Sequence, residues 1–252
     1  MSHFSVAVFS RTPDEVEQLL APFREDTDDP EYLELQTSSE DIEDLRATYD
    51  EERKGEESFE NFLSRYYGYI YNQELDEAGY LCNPNAKWDW WEIGGRWRDM
   101  LKLKHPHPCH EEGTEGKDTQ RTYVWCDQAQ LKDIEFVVDQ DAYDRAARFW
   151  EVYVEGQPLG EGESEGDYTP FYRPEYYLEQ YGAKEAYANA MSSFSTWAFV
   201  TPDGEWHETG EMGWFGFSNA TRTSRETYAG EMHEALKSID PECYITIVDC
   251  HI

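Results

Sequence analysis

The chain has 252 residues, of which 54 are acidic and 21 are basic, so its formal net charge at pH 7 is -33. Its length and its 39% apolar content permit a substantial hydrophobic core. The charge argues against bare nucleic acid as a partner, because carboxylates and phosphates repel one another. No stretch approaches the roughly 18 apolar residues of a membrane span, and neither the N-terminus nor the cysteine spacing points to secretion. The sequence therefore predicts a soluble, cytoplasmic protein that does not bind a membrane.

One strand and three helices are predicted in the N-terminal part. In chain order they are a strand over His3–Ser10, a helix from the capping box Thr12–Glu15 to about Leu20, a helix over about 38–53 after the capping box Thr37–Glu40, and a helix from Ser58 to near Gly68. An acidic loop over 24–36 separates the first two helices. Acidic residues outnumber basic ones by 19 to 4 between Asp14 and Glu60. We therefore expect 24–66 to form a strongly acidic helical insertion.

A tryptophan-rich segment, Asn83–Trp97, follows the acidic region. It contains four tryptophans and the pair Gly94-Gly95, and the longer stretch Asn83–Lys104 has five basic and three acidic residues, a net charge of +2. We predict loop and short strand here, because glycine pairs permit turns with positive φ. On one interpretation six residues form a pocket in which indoles stack on a planar group and cations meet an anion. These residues are Lys87, Trp88, Trp91, Glu92, Arg96 and Trp97. On the other interpretation the tryptophans belong to the core, and Lys87 and Arg96 pair with nearby acids.

Short strands and helices are predicted to alternate in the rest of the chain. Up to the middle they are a strand over Met100–Lys104, a polar loop over 105–120, strands over Tyr123–Cys126 and Ile134–Val138, a helix over Asp141–Tyr153, and a surface loop over 155–167. Beyond it they are a helix over Ala183–Met191, a hairpin over Thr196–His207 turning at Asp203-Gly204, a helix from about Thr223, and a strand over Cys243–Ile252.

A second segment rich in glycine and tryptophan, Gly210–Gly216, repeats the character of the first. Glu211 and Trp214 are therefore candidates to complete the same pocket. The alternative, which we favour, is a glycine-rich hairpin whose tryptophan fills the core, because no nucleophile and base stand together in the segment. No motif of a known enzyme class occurs, so the sequence leaves open whether any reaction is catalysed.

The order of the elements predicts an α+β fold, with helices packed on a mainly antiparallel sheet in a single domain over 1–252. A ferredoxin-like core with insertions is one arrangement that fits. The first and last strands would then be antiparallel neighbours, which places His3 close to Asp249 and His251. These three are weak metal-ligand candidates, but we expect their side chains to satisfy one another, with Cys250 on the opposite face. We predict neither a bound metal nor a cofactor.

Four blocks of the sequence stand out as distinctive. They are MSHF at the N-terminus, NPNAKWDWWEIGGRW, GEMGWFG and the final DCHI. Together they resemble an uncharacterised family of phage and bacterial proteins. The resemblance implies a phage or prophage origin and assigns no chemistry.

Two functions follow as expectations. The first is a phage-type accessory or counter-defence protein that binds a host protein through its acidic surface, imitating the charge of DNA. The second is a binder of, or an enzyme on, a nucleotide-like small molecule, using the pocket rich in Trp, Arg and Gly.

Overall fold

The computed structural model describes residues 2–109, 121–136, 138–213 and 216–252. The chain divides into two compact units, which are described separately. Unit 1 comprises Met1–Leu19 and Trp90–Ile252, and unit 2 comprises Leu20–Asp89. The acidic region predicted at 24–66 falls within unit 2.

Strands and α-helices occur in both units. The strands are β1 (His3–Ser10), β2 (Glu34–Thr37), β3 (Ile70–Asn72), β4 (Glu77–Cys82), β5 (Trp90–Ile93), β6 (Leu101–Cys109), β7 (Arg121–Cys126), β8 (Gln128–Gln130), β9 (Ala198–Val200), β10 (Trp206–Glu208) and β11 (Tyr244–His251). The helices are α1 (Val16–Leu20), α2 (Ile42–Glu52), α3 (Phe59–Tyr67), α4 (Gln140–Phe149), α5 (Pro174–Tyr181), α6 (Lys184–Ser192) and α7 (Arg222–Ser238). Within the described ranges, no helix has both the length and the apolar character needed to cross a bilayer.

The central sheet of unit 1 has the strand order β10-β9-β1-β11-β5, and β8 also pairs with β11. Strands β1 and β11 are antiparallel, with His3 opposite His251 and Ser10 opposite Tyr244. Strand β9 runs parallel to β1, whereas the other pairs are antiparallel. The predicted α+β class and the predicted pairing of the first and last strands are confirmed. The arrangement differs from a ferredoxin-like sheet, in which neighbouring strands are all antiparallel.

The core of unit 1 lies between this sheet and α7. Phe9 of β1 packs with Ile245 and Ile247 of β11, and all three are fully buried. Tyr228 and Met232 cover them from α7, where a spacing of four residues places both on one helix face. Burying a side chain of this size stabilises the fold by about 2 kcal/mol. The same packing holds the ends of β1 and β11 that carry His3 and His251, where polar residues replace apolar ones.

Unit 2 combines the sheet β2-β4-β3 with α2 and α3. Leu45, Phe62 and Ala78 belong to its buried core, to which both helices and the sheet contribute. Helix α3 begins after Ser58, as the sequence predicts, and the Ser58 side chain accepts a hydrogen bond from the Asn61 N–H. Unit 2 therefore has an apolar core of its own beneath a surface rich in acidic side chains.

The capping box predicted at Thr37–Glu40 is wrong. The stretch begins in β2, which pairs with β4, and the Ser38 N–H donates to the Ala78 carbonyl at 2.7 Å. Sheet pairing therefore keeps these residues extended. Helix α2 begins at Ile42, four residues later than predicted, and its cap is Asp41, whose carboxylate accepts a hydrogen bond from the Glu43 N–H.

Two predicted loops contain strand. The acidic loop predicted at 24–36 ends in β2, and the polar loop predicted at 105–120 begins in β6, which continues to Cys109 and pairs with β7. Residues 110–120 lie outside the described residues. Both misassignments come from judging polar composition alone, because pairing with a neighbouring strand satisfies the backbone whatever the side chains are.

The strand predicted at Ile134–Val138 is also corrected for the residues that the structure describes, which leave out Val137. The chain forms a 3₁₀ turn at Leu131–Asp133, and Ile134 makes only an isolated bridge to Leu103. Leu131 and Ile134 are three residues apart, so a single 3₁₀ turn buries both in the core. An apolar run can thus be buried without forming a strand.

The surface loop predicted at 155–167 is held to α4 by an ion pair. Arg148 contacts Glu163 at 2.7 Å, and Glu163 also accepts hydrogen bonds from the Gly160 N–H and the Tyr168 hydroxyl. The Arg148 hydrogen bonds, with the help of the other two donors, lower the pKa of Glu163 to about 2. The loop is therefore an ordered surface feature and includes a 3₁₀ turn at Glu165–Tyr168.

Ser10 provides a test of polar satisfaction in the core. It is fully buried, and its hydroxyl has no hydrogen-bond partner among the described residues. We expect Ser10→Ala to raise the free energy of unfolding by about 1 kcal/mol, because it removes a desolvated, unpaired hydroxyl. Urea unfolding of the full chain measures the change.

Thr196→Val is the matched control for Ser10→Ala. The buried Thr196 hydroxyl donates to the Ala198 carbonyl at 2.7 Å and contacts the Tyr228 hydroxyl at 3.0 Å. Removing it should lower the free energy of unfolding by about 1 to 2 kcal/mol, because the Tyr228 hydroxyl loses its partner. Equal losses for both variants would contradict the distinction drawn between the two hydroxyls.

Candidate functional site

The tryptophan-rich segment is divided between the two units. Asn83–Asp89 belongs to unit 2, whereas Trp90–Trp97 belongs to unit 1. The six pocket residues predicted from the sequence are therefore placed unit by unit, with Lys87 and Trp88 in unit 2 and Trp91, Glu92, Arg96 and Trp97 in unit 1.

The unit 2 part of the segment is tied to the chain at residues 20–25. The Asn83 side-chain amide donates to the Pro22 carbonyl at 2.8 Å, and the Lys87 N–H donates to the Phe23 carbonyl at 2.8 Å. Trp88 is 5% exposed, and its indole N–H donates to the Leu20 carbonyl at 3.2 Å. The fold thus buries the indole ring of Trp88 and also pairs its N–H, which favours the core interpretation for this residue.

In unit 1 the segment continues as β5, which pairs with β11. The register places Glu92 opposite Asp249 and Trp90 opposite His251, while Trp91 lies opposite Cys250. Directly opposite residues share a face of the sheet. Trp90 and Glu92 therefore lie on the face of Asp249 and His251, and Trp91 lies on the other face.

The Gly94-Gly95 pair makes the turn that follows β5. Both glycines have positive φ, of 71° and 53°. The Gly94 N–H donates to the Ile247 carbonyl at 2.9 Å. A Cβ on Gly95 would lie 2.4 Å from the Asp249 Cβ. The turn therefore needs glycine both for its backbone angles and for its close approach to β11.

Asp249 is the centre of a polar cluster at the ends of β1 and β11. It is 1% exposed. Its Oδ1 lies 2.8 Å from His3 Nδ1, and its Oδ2 accepts the Arg96 N–H at 3.0 Å. The His251 ring packs edge-on against His3 with a centroid distance of 4.9 Å. The predicted proximity of His3, Asp249 and His251 is confirmed.

Cys250 lies on the opposite face of β11 and is fully buried. Burial raises the pKa of its thiol well above the ordinary value. The thiolate, which is the reactive form, is therefore disfavoured. No set of three or more histidine, cysteine or acidic side chains in the described ranges is arranged to hold a metal ion, and this covers the weak candidate set of His3, Asp249 and His251.

Arg96 and Trp97 lie in different environments, which indicates different roles. The Arg96 side chain is exposed and forms no ion pair with any residue that the structure describes. Trp97 is half-buried and packs against the core of unit 1. The next residue, Arg98, donates from Nε to the Gly95 carbonyl at 3.3 Å and so closes the turn. Of the two, Arg96 is the one free to contact a ligand.

The second glycine-rich segment is joined to the start of β1. The Ser2 hydroxyl donates to the Gly213 carbonyl at 2.8 Å and accepts the Gly216 N–H at 2.6 Å. Glu211 accepts a hydrogen bond from the Asn219 side-chain amide at 3.0 Å. Trp214 lies outside the described residues, so its predicted role stays a prediction. The segment is anchored to the residue that precedes His3.

A separate feature is the acidic surface of unit 2, where 18 of the 20 acidic side chains are exposed. Ion pairs with arginine involve Asp26, Asp76 and Glu57 in this unit, all of which the structure describes. Hydrogen bonds from Arg65 lower the pKa of Glu57 to about 2. No ion pair within unit 2 involves a carboxylate of α2. These carboxylates are Glu43, Asp44, Asp50, Glu51 and Glu52.

No family model, curated protein or solved structure matches this chain. The functions below are therefore inferred from charge, register and contacts.

Proposed function

We propose that the chain is a cytoplasmic, phage-type accessory protein that binds a host nucleic-acid-handling protein and occupies its phosphate-binding surface, as a counter-defence factor does. The proposed origin rests on the four sequence blocks. The observation that carries the binding proposal is the set of exposed carboxylates on α2 that no basic side chain of unit 2 pairs with.

The spacing of these carboxylates supports the proposal. Five acidic residues lie within α2, Ile42–Glu52. At a helical rise of about 1.5 Å per residue, this helix is roughly 16 Å long and carries about one carboxylate per 3 Å. A DNA strand carries one phosphate per about 3.4 Å. A protein surface that binds phosphates therefore meets a similar linear charge density on α2.

The one basic residue within α2 does not neutralise this surface. Arg46 pairs with Asp76, and its guanidinium lies 4.7 Å from the centre of the Phe59 ring. Its charge is thus directed towards the core side of the helix. Pairs seven residues apart, such as Glu43 and Asp50, lie on a common outer face.

The test is retention of host proteins on the immobilised full chain, with duplex DNA as the competitor. We expect retained proteins to be nucleic-acid-binding proteins that the DNA displaces. The triple variant Asp44→Asn, Asp50→Asn, Glu51→Gln should bind its partner about tenfold more weakly, because each lost exposed charge contact contributes up to about 1 kcal/mol. The affinity of a purified partner should also depend less steeply on salt for this variant.

A matched variant removes the same charge elsewhere. Glu161→Gln, Glu179→Gln and Glu185→Gln change three exposed acids of unit 1 and should leave binding unchanged. If both triple variants bind equally well, or if DNA does not compete, α2 is not the binding surface. Equal weakening of both would indicate a general charge effect instead.

The second candidate function, a nucleotide-like ligand held by aromatic and basic side chains, is favoured by the polar cluster of unit 1. Trp88 is committed to the core of unit 2. Arg96 and the β5 residues that face Asp249 are not part of a core, and they define a smaller site than the pocket predicted from the sequence.

A further inference from the structure

We propose that unit 1 binds a nucleoside monophosphate at the end of its central sheet, where β1, β11 and β5 lie side by side. This site rests on the second candidate function, and it is independent of α2 and of the proposed protein partner. His3 and Arg96 bind the phosphate of the ligand, and Trp90 stacks on its base.

The first argument is the orientation of His3. With Asp249 ionised, its carboxylate only accepts hydrogen bonds, so the contact at 2.8 Å places a proton on His3 Nδ1. His3 Nε2 has no hydrogen-bond partner among the described residues, and the side chain remains 18% exposed. A carboxylate on one ring nitrogen fixes the imidazole so that the other nitrogen faces a ligand. In its protonated form, that nitrogen donates to an oxyanion.

The second argument is the placement of Arg96. Its backbone N–H is bonded to Asp249 Oδ2 at 3.0 Å, so the side chain starts beside the His3–Asp249 pair. The guanidinium is exposed and forms no ion pair with a described residue, in a chain whose net charge is -33. Guanidinium groups bind phosphate through paired, charge-assisted hydrogen bonds. Together, His3 and Arg96 supply the donors that a phosphate monoester needs.

The third argument concerns the rest of the ligand. Trp90 lies opposite His251 on the same face, and its side chain is 48% exposed. A half-exposed indole beside an anion site offers a stacking surface for a planar base. Glu92 is exposed opposite Asp249; because it only accepts hydrogen bonds, it suits a sugar hydroxyl rather than the phosphate. These features select a nucleotide over a bare anion.

The experiment is titration calorimetry of the full chain with adenosine 5′-monophosphate, with inorganic phosphate and adenosine as separate probes. We expect the nucleotide to bind more tightly than either part. Arg96→Gln and Trp90→Leu should each weaken nucleotide binding by about tenfold or more. Both side chains are exposed, so both variants should remain folded.

Two control variants match these changes. Arg145→Gln removes an exposed arginine of α4, and Trp125→Leu removes a tryptophan of β7 that is 45% exposed; neither should alter binding. The ring resonances of His3 should shift when the nucleotide is added to the wild-type chain. Absence of nucleotide binding at millimolar concentration, or equal effects of the site and control variants, overturns the proposal. Loss of the α2 interaction has no bearing on it.

Discussion

Gly95→Ala is expected to lower the free energy of unfolding of unit 1 by about 3 kcal/mol. Two costs contribute. A residue with a Cβ at a φ of 53° is strained by about 1 to 2 kcal/mol. The new Cβ would also lie 2.4 Å from the Asp249 Cβ and 2.6 Å from its Oδ2. Overlap with a well-packed region costs about 1 to 3 kcal/mol. Asp249 cannot move away easily, because β11 is paired on both sides.

Gly204→Ala separates these two costs. Gly204 has a φ of 87°, but a Cβ added there meets nothing within 4 Å. This variant should therefore lose only the conformational cost, about 1 to 2 kcal/mol. Thermal or urea unfolding of both variants provides the comparison. If Gly95→Ala and Gly204→Ala lose the same stability, the close approach of the turn to Asp249 is not energetically important.

The sequence predicts the turn at Gly94-Gly95 but does not predict that this turn packs against Asp249. The pair Gly94-Gly95 indicates positive φ on chemical grounds, and the paired ends of the chain indicate that His3 lies near Asp249. The contact between the turn and Asp249 joins residues 153 positions apart. Only the register of β5 on β11 brings them together, and local pattern carries no information about that register.

Register also decides which tryptophan faces the polar cluster. The sequence predicts Trp91 as one of three pocket tryptophans in the segment Asn83–Trp97, whereas the register of β5 places Trp90 on the face of Asp249 and His251, because neighbouring residues of a strand alternate between faces. A short strand with Trp at two successive positions shows no alternation from which the phase can be read. Only the pairing of Trp90 with His251 shows which residues of β5 lie on each face of the sheet.

The acidic part of the chain shows where composition misleads. The apolar spacing of Leu45 and Tyr49 predicts α2 correctly, because helical periodicity survives a high content of acids. Strands β2 and β4 are missed, because neither alternates between apolar and polar residues: the exposed positions of β2 are polar, whereas those of β4 are Tyr80 and Leu81. The division of the tryptophan segment at Asp89 is likewise a tertiary property.

Asp249→Ala is expected to lower the free energy of unfolding by about 3 kcal/mol. It leaves the Arg96 N–H without its acceptor and His3 Nδ1 without its partner, both in a partly buried position. Asp249→Asn keeps the volume and one acceptor oxygen, so it should lose less, about 1 to 2 kcal/mol. Urea unfolding of the full chain at constant pH measures both changes.

A double-mutant cycle identifies the part of this loss that belongs to the imidazole. With His3→Ala, Asp249→Ala and the double variant, the coupling energy should be about 1.5 to 3 kcal/mol, the range for hydrogen bonds to charged groups. A coupling near zero would mean that Asp249 supports the turn through Arg96 alone and does not orient His3. A stabilising Asp249→Asn would mean that the desolvation of the carboxylate outweighs both contacts. The expected result, a strong coupling, identifies the carboxylate at the end of β11 as the group that fixes the His3 ring while supporting the glycine turn.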